Sequence, residues 1–137
     1  MLANGATLAY KEKNGSGDYT VLPGLKEIPE MGVDPERVEN TDLSDTHKKY
    51  ELGIGDLPEM TYVFKYTNTA ATSPYRVMRA YEESKTVLSF KETLFDGTTT
   101  VFDAQVSVKR TGGGVNGVID FNLTMAVQSD LTITDPA

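Results

Sequence analysis

"TTTVFDAQVSVKR" (Thr98–Arg110) and "VIDFNLTMAVQS" (Val118–Ser129) are the two stretches that decide the fold. In the first, Phe102, Ala104, Val106 and Val108 alternate with Asp103, Gln105, Ser107 and Lys109. In the second, Ile119, Phe121, Leu123, Met125 and Val127 alternate with Asp120, Asn122, Thr124 and Gln128. A strict period of two belongs to strands with one face on a core and the other in water. Gly112-Gly113-Gly114 and Asn116-Gly117 supply the turn between them.

The rest of the chain reads as shorter partners for this pair. Thr7 to Lys13 and Asp18 to Leu22 are strand candidates joined by Asn14-Gly15-Ser16-Gly17, a hairpin signal. Between Pro23 and Pro29 any strand must be an edge, because proline donates nothing to a ladder. Met60, Tyr62, Phe64 and Tyr66 alternate with Thr61, Val63, Lys65 and Thr67, and Thr86 to Leu94 leads into an Asp96-Gly97 turn. One helix is predicted, with Ser73 as N-cap and Pro74 at the first helical position. Val77, Met78 and Tyr81 make its apolar stripe, and Arg76, Arg79, Glu82 and Glu83 face outward. The expected fold is mainly β: one domain over residues 1–137, an antiparallel β-sandwich or open barrel with one flanking α-helix and a long mobile loop.

That loop is the segment "GVDPERVENTDLSDTHKKYELGIGDLPEM" (Gly32–Met60), which shows neither helical nor strand periodicity. Residues 34–59 hold eight acids against three bases, a balance of −5 out of a total of −7. A structureless stretch longer than about 12–15 residues inside a compact domain is usually functional or disordered. Copies of so acidic a segment are expected to repel one another unless salt screens them.

Composition narrows the function. The acidic balance argues against a surface that grips phosphates through clustered Lys and Arg. With no cysteine there is no disulfide framework or thiolate chemistry. No apolar run approaches the ~20 residues of a membrane span, and the N-terminus lacks signal-peptide features, so a soluble protein made in a reducing cytosol is expected. Asn14-Gly15-Ser16 and Asn122-Leu123-Thr124 are then chance matches to glycosylation acceptors. No catalytic residue is proposed. His47, the lone histidine, stands beside Lys48 and Lys49, and no Gly-x-Ser-x-Gly elbow occurs. Glu82 and Glu83 are consecutive on the helix and point apart. Asp34, Glu36, Asp42 and Asp45 do not match a calcium loop, and Gly112-Gly113-Gly114 lacks the Lys-Ser or Lys-Thr of a phosphate cradle, so no metal or cofactor is expected.

The central segment resembles the major tail tube proteins of long-tailed, non-contractile bacteriophages. The resemblance rests on Leu25-Lys26-Glu27-Ile28-Pro29-Glu30-Met31-Gly32, Val38-Glu39-Asn40-Thr41-Asp42-Leu43-Ser44-Asp45, Lys49-Tyr50 and Gly53-Ile54-Gly55-Asp56. These precede a strand, a helix, an Asp-Gly hairpin and a Gly-rich turn in the family's order. Nearly the whole chain is covered. Asn40 departs from an apolar preference, and the immunoglobulin-like domain that some members append is missing, so only the tube domain is expected.

The resemblance implies a structural virion protein of the tail, made in the host cytoplasm, whose rings of six copies stack into a tube for genome ejection. Implied partners are other copies of itself, the tape-measure protein and other tail proteins. Double-stranded DNA would pass without specific binding, and no membrane is involved. The loop would act between subunits through Val38, Thr41, Leu43, Asp45, Tyr50, Leu52 and Ile54. If each subunit gives four strands to a common barrel, 24 strands at ~4.8 Å and ~40° tilt close a circle roughly 48 Å across. Asp103, Gln105, Ser107, Asp120, Asn122 and Thr124 would face the lumen, as a polar wall with few bases. The alternative is a monomeric β-sandwich that binds a ligand or decorates a capsid.

Overall fold

The computed structural model describes residues 1–137 except Ser16, Leu57 and Pro58, and only the backbone of Ile54 and Asp56. In chain order the elements are β1 (Thr7–Glu12), β2 (Thr20–Val21), β3 (Leu25–Glu27), β4 (Asp34–Glu39), β5 (Tyr50–Asp56), β6 (Met60–Lys65), α1 (Pro74–Ser84), β7 (Leu88–Thr93), β8 (Thr99–Arg110), β9 (Asp120–Val127) and β10 (Thr132–Thr134). Eight strands form one antiparallel sheet in the order β2-β1-β7-β8-β9-β6-β3, with β10 added to β8. The sheet curls into a half-barrel, so of the two expected architectures the open barrel is the one adopted. The proline-flanked β3 is indeed an edge, paired only with β6.

β8 is shared by both halves of the curl. Its residues 99–104 pair with β7, and residues 104–110 pair with β9. The alternation read from sequence sets which side is filled: Phe102, Ala104, Val106, Phe121, Leu123 and Met125 are buried. Aromatic pairs lie directly opposite across the ladders. Phe64 stacks on Phe121 at 5.4 Å and Phe90 on Phe102 at 5.6 Å between ring centroids. Such pairs add roughly 0.5–1.5 kcal/mol beyond the area they bury.

α1 covers this apolar face. Met78 is fully buried, Val77 and Tyr81 pack against the core, and Tyr75 meets the Phe121 ring edge-on at 5.6 Å. Two expected details differ. Ser73 precedes Pro74 as predicted, but its Oγ accepts from the N–H of Ala70 at 3.1 Å, and no side-chain cap bond reaches the helix. Glu82, expected to face solvent, accepts from the backbone N–H of Val108 and from Ser107 Oγ, both at 3.3 Å. The reason is the sheet edge. Beyond Ala104 the flank of β8 away from β9 has lost β7, and the carboxylate takes up a donor the ladder leaves free.

Inside the curl, Tyr62 of β6 donates to Glu92 of β7 at 2.5 Å. These strands are separated by β8 and β9 in the sheet, so the bond is a strut across its concave side. Glu92 is 5% exposed, and burial pushes its carboxyl above the ordinary value. The sign of the resulting pH dependence follows. Between the ordinary and the raised pKa the folded state holds a proton that the unfolded state has lost, so stability falls as pH rises through that window. Glu92→Gln should therefore gain stability over wild type at pH about 8 and show little gain at pH about 4, by urea denaturation. Tyr62→Phe should lose roughly 1–3 kcal/mol at neutral pH by stranding the carboxylate.

Candidate assembly interface

The segment read as a loop without internal structure is a β-hairpin. β4 and β5 form their own two-stranded sheet, with Arg37 opposite Leu52, Val38 opposite Glu51 and Glu39 opposite Tyr50. Sequence periodicity missed it because β4 is exposed along its whole length. A strand wet on both faces has no buried set to alternate with.

Small residues make the pairing possible. A Cβ on Gly55 would lie 1.9 Å from Val33 Cγ1, and one on Gly53 would lie 3.0 Å from Val38 Cγ2. The connecting loop is held by local bonds. Thr41 Oγ1 accepts from the N–H of Lys49 at 2.9 Å, and Asp45 takes the Lys49 ammonium at 2.7 Å and the N–H of Asp42 at 2.9 Å. Those bonds hold the Asp45 carboxyl below its ordinary range, the Lys49 contact foremost. Thr41 and Asp45, expected to act between subunits, are thus engaged within the hairpin itself.

The apolar residues of that set stand differently. Leu43 is fully exposed and Leu52 is 73% exposed, while Val38 and Tyr50 are each 47% exposed. Arg37 lies over the Tyr50 ring at 4.2 Å from its centroid. The side chain of Ile54 lies outside the described residues.

The six residues expected on a lumen wall all lie on the face of the sheet opposite the core, as alternates of the buried set on β8 and β9. Ser107 sits opposite Thr124, which meets Thr61 at 3.2 Å between hydroxyls. The same face is richer in bases than the sequence reading allowed. Lys109 lies opposite Asn122 and Lys65 opposite Asp120, and β1 and β7 add Lys11 and Lys91. Both acids are matched: Asp120 pairs with Lys26 at 2.8 Å and Asp103 with Lys13 at 3.7 Å. Each lysine comes from a segment distant in sequence, so neither pair could be read from strand alternation.

Among the described residues no group of three or more His, Cys, Asp or Glu is arranged to hold a metal, and no helix is long and apolar enough to cross a membrane.

Solved structures share this fold over nearly its whole length. A chain of the anti-feeding prophage baseplate, symmetrised six-fold, matches with a TM-score of 0.70 at 12% identity, covering 95% of this chain and 92% of that one. A tail chain of an empty gene transfer agent particle, refined helically in C6 symmetry, matches at 0.69 and 22% identity, covering 93% and 95%. The SPP1 tail tube matches at 0.70 and 10% identity, covering 96% of this chain and 77% of that one. No protein-family model and no curated protein matches the sequence. The chain therefore has the tail-tube fold.

The glycine geometry yields a test of the hairpin. Gly55→Val should abolish the β4–β5 ladder, seen as lost amide-exchange protection in those strands. Protection of β8 and β9 should persist, with overall stability changed by less than about 0.5 kcal/mol, as for other surface substitutions.

Proposed function

We propose that this chain is a structural subunit of a phage tail tube, polymerising as stacked rings of six into the conduit for genome ejection. The observation that carries the reading is the β4–β5 hairpin. It forms a sheet of its own and holds Leu43, Tyr50 and Leu52 in solvent. An isolated two-stranded hairpin is marginal in water, and each large apolar side chain buried against a neighbour gains about 1.5–3 kcal/mol. The tail-tube fold supports the same reading.

In the tube, the polar face of β8 and β9 would form the lumen wall, with Asn122 and Thr124 flanked by strands on both sides, Gln105 and Ser107 along the free edge of β8 and bonded to Lys85 and Glu82, and Asp103 and Asp120 held by their lysines. Such a wall offers phosphates no unbroken run of cations, and duplex DNA would pass without specific binding. The tape-measure protein would occupy the same lumen before ejection. The place of the protein would be the virion tail, after synthesis in the host cytoplasm.

Electron microscopy of the concentrated protein tests the proposal: tubes are expected, whereas single particles would favour the monomeric binding module. Deleting residues 36–54 should leave the sheet folded and abolish tubes. Replacing Asn122 and Thr124 together by Lys should spare tubes yet slow DNA release from assembled particles, because added cations on the wall would hold phosphates. Unchanged release from normal tubes would show that this face does not conduct.

A further inference from the structure

We infer that the acidic face of the β4–β5 hairpin docks on Lys11 and Lys91 of a second copy of the chain. The inference rests on the tail-tube reading above and names a contact within it. Lys11 lies opposite Ser89, and Lys91 lies opposite Ala9. The two lysines are thus diagonal neighbours on the antiparallel β1–β7 pair, roughly 7–8 Å apart. Tyr19 gathers them: its ring centroid is 4.8 Å from Lys11 Nζ and 5.9 Å from Lys91 Nζ. A hydrogen bond of 2.8 Å between the Tyr19 hydroxyl and Ser89 Oγ fixes that ring on the sheet.

Neither lysine takes part in any of the ion pairs among the described residues. Of the two acids on their face of the sheet, Asp103 stands opposite Ser89 and is engaged by Lys13, and Asp120 is engaged by Lys26. Two ammoniums are therefore held together without a carboxylate of their own, in a protein whose net charge is −7.

The hairpin carries the complement. Glu51 lies opposite Val38, and the Cβ of Glu36 is 3.8 Å from where a Cβ on Gly53 would stand. Glu36, Val38 and Glu51 thus share one face, and the shift of register between Pro35 and Arg37 falls at Glu36. Arg37, Tyr50 and Leu52 take the other face. The missing side chain at Gly53 keeps the acidic face low enough for a close approach. Glu51 accepts from Asn40 Nδ2 at 2.5 Å through Oε1, which orients the carboxylate. A carboxylate pair on a hairpin with its own sheet and an ammonium pair on an open sheet face, opposite in charge, match as parts of a head-to-tail contact between identical chains. Because the contact is attractive, it reverses the salt dependence that repulsion between acidic segments would give.

Complementation of charge-reversed variants tests it. Lys11→Glu with Lys91→Glu makes one protein, and Glu36→Lys with Glu51→Lys makes another. Each should fold, by thermal unfolding, and each alone should lose tubes at least tenfold by microscopy. An equimolar mixture should recover tubes, since each hairpin then finds an opposite charge on the other protein. Wild-type assembly should also slow as salt rises. Either variant assembling alone as well as wild type, or a mixture that stays without tubes, overturns the contact while wild-type tubes keep the broader reading. Normal tubes of the lysine variant with weakened retention of duplex DNA would overturn it in favour of a phosphate-binding role. Absence of wild-type tubes would instead remove the tail-tube reading itself.

Discussion

The constraint on which the rest depends is the single strand β8, which serves two halves of one sheet. Its alternation runs unbroken through Thr100, Phe102, Ala104 and Val106, all buried, while its partner changes from β7 to β9 at Ala104. Because the face never inverts, the cores under both halves are continuous, and Phe90–Phe102 and Phe64–Phe121 belong to one cluster. A one-residue slip in this strand would turn its own core side chains, Phe102, Ala104 and Val106, outward under both halves at once.

Sharing a strand this way leaves an incomplete ladder, and the curl leaves a concave side to be filled. The helix addresses both. Its Met78 fills the core, and its Glu82 reaches the Val108 N–H that β7 no longer covers. Across the same hollow, Tyr62 and Glu92 join the strands that the curl brings face to face. A buried carboxyl with raised pKa costs stability at neutral pH, which the Tyr62 hydrogen bond offsets only in part. Curvature is thus held by polar contacts that the apolar pattern alone does not specify.

Legibility in the sequence follows from burial. β8 and β9 were readable because one face of each meets the core, and β6 likewise through Met60, Tyr62 and Phe64. β4 was not, since solvent on both faces imposes no period, and its partner β5 is broken by Gly53 and Gly55. β10, three exposed residues, offers too little pattern to read. Glu82 was misplaced because a helical wheel distinguishes faces, whereas the neighbouring sheet has an edge. The lysines on the polar face escaped for a related reason. Lys13 and Lys26 reach Asp103 and Asp120 from segments far away in sequence, and only register brings Lys11 beside Lys91.

The hairpin shows how a chain can keep an element that its own core does not support. Its turn is closed by bonds among neighbours: Thr41 with Lys49, Asp45 with Lys49, and Asn40 with Glu51. Its strands approach over Gly53 and Gly55, which exclude side chains that would block Val38 and Val33. These local devices fix a shape without burying apolar area, and shape without burial is weakly stable. Any surface that covers Leu52 and Tyr50 or neutralises Glu36 and Glu51 therefore stabilises the hairpin as it binds it. Ordering of this element and formation of its contact are one equilibrium, so substitutions at Gly53 or Gly55 and substitutions in the contact surface act on the same free energy from opposite ends.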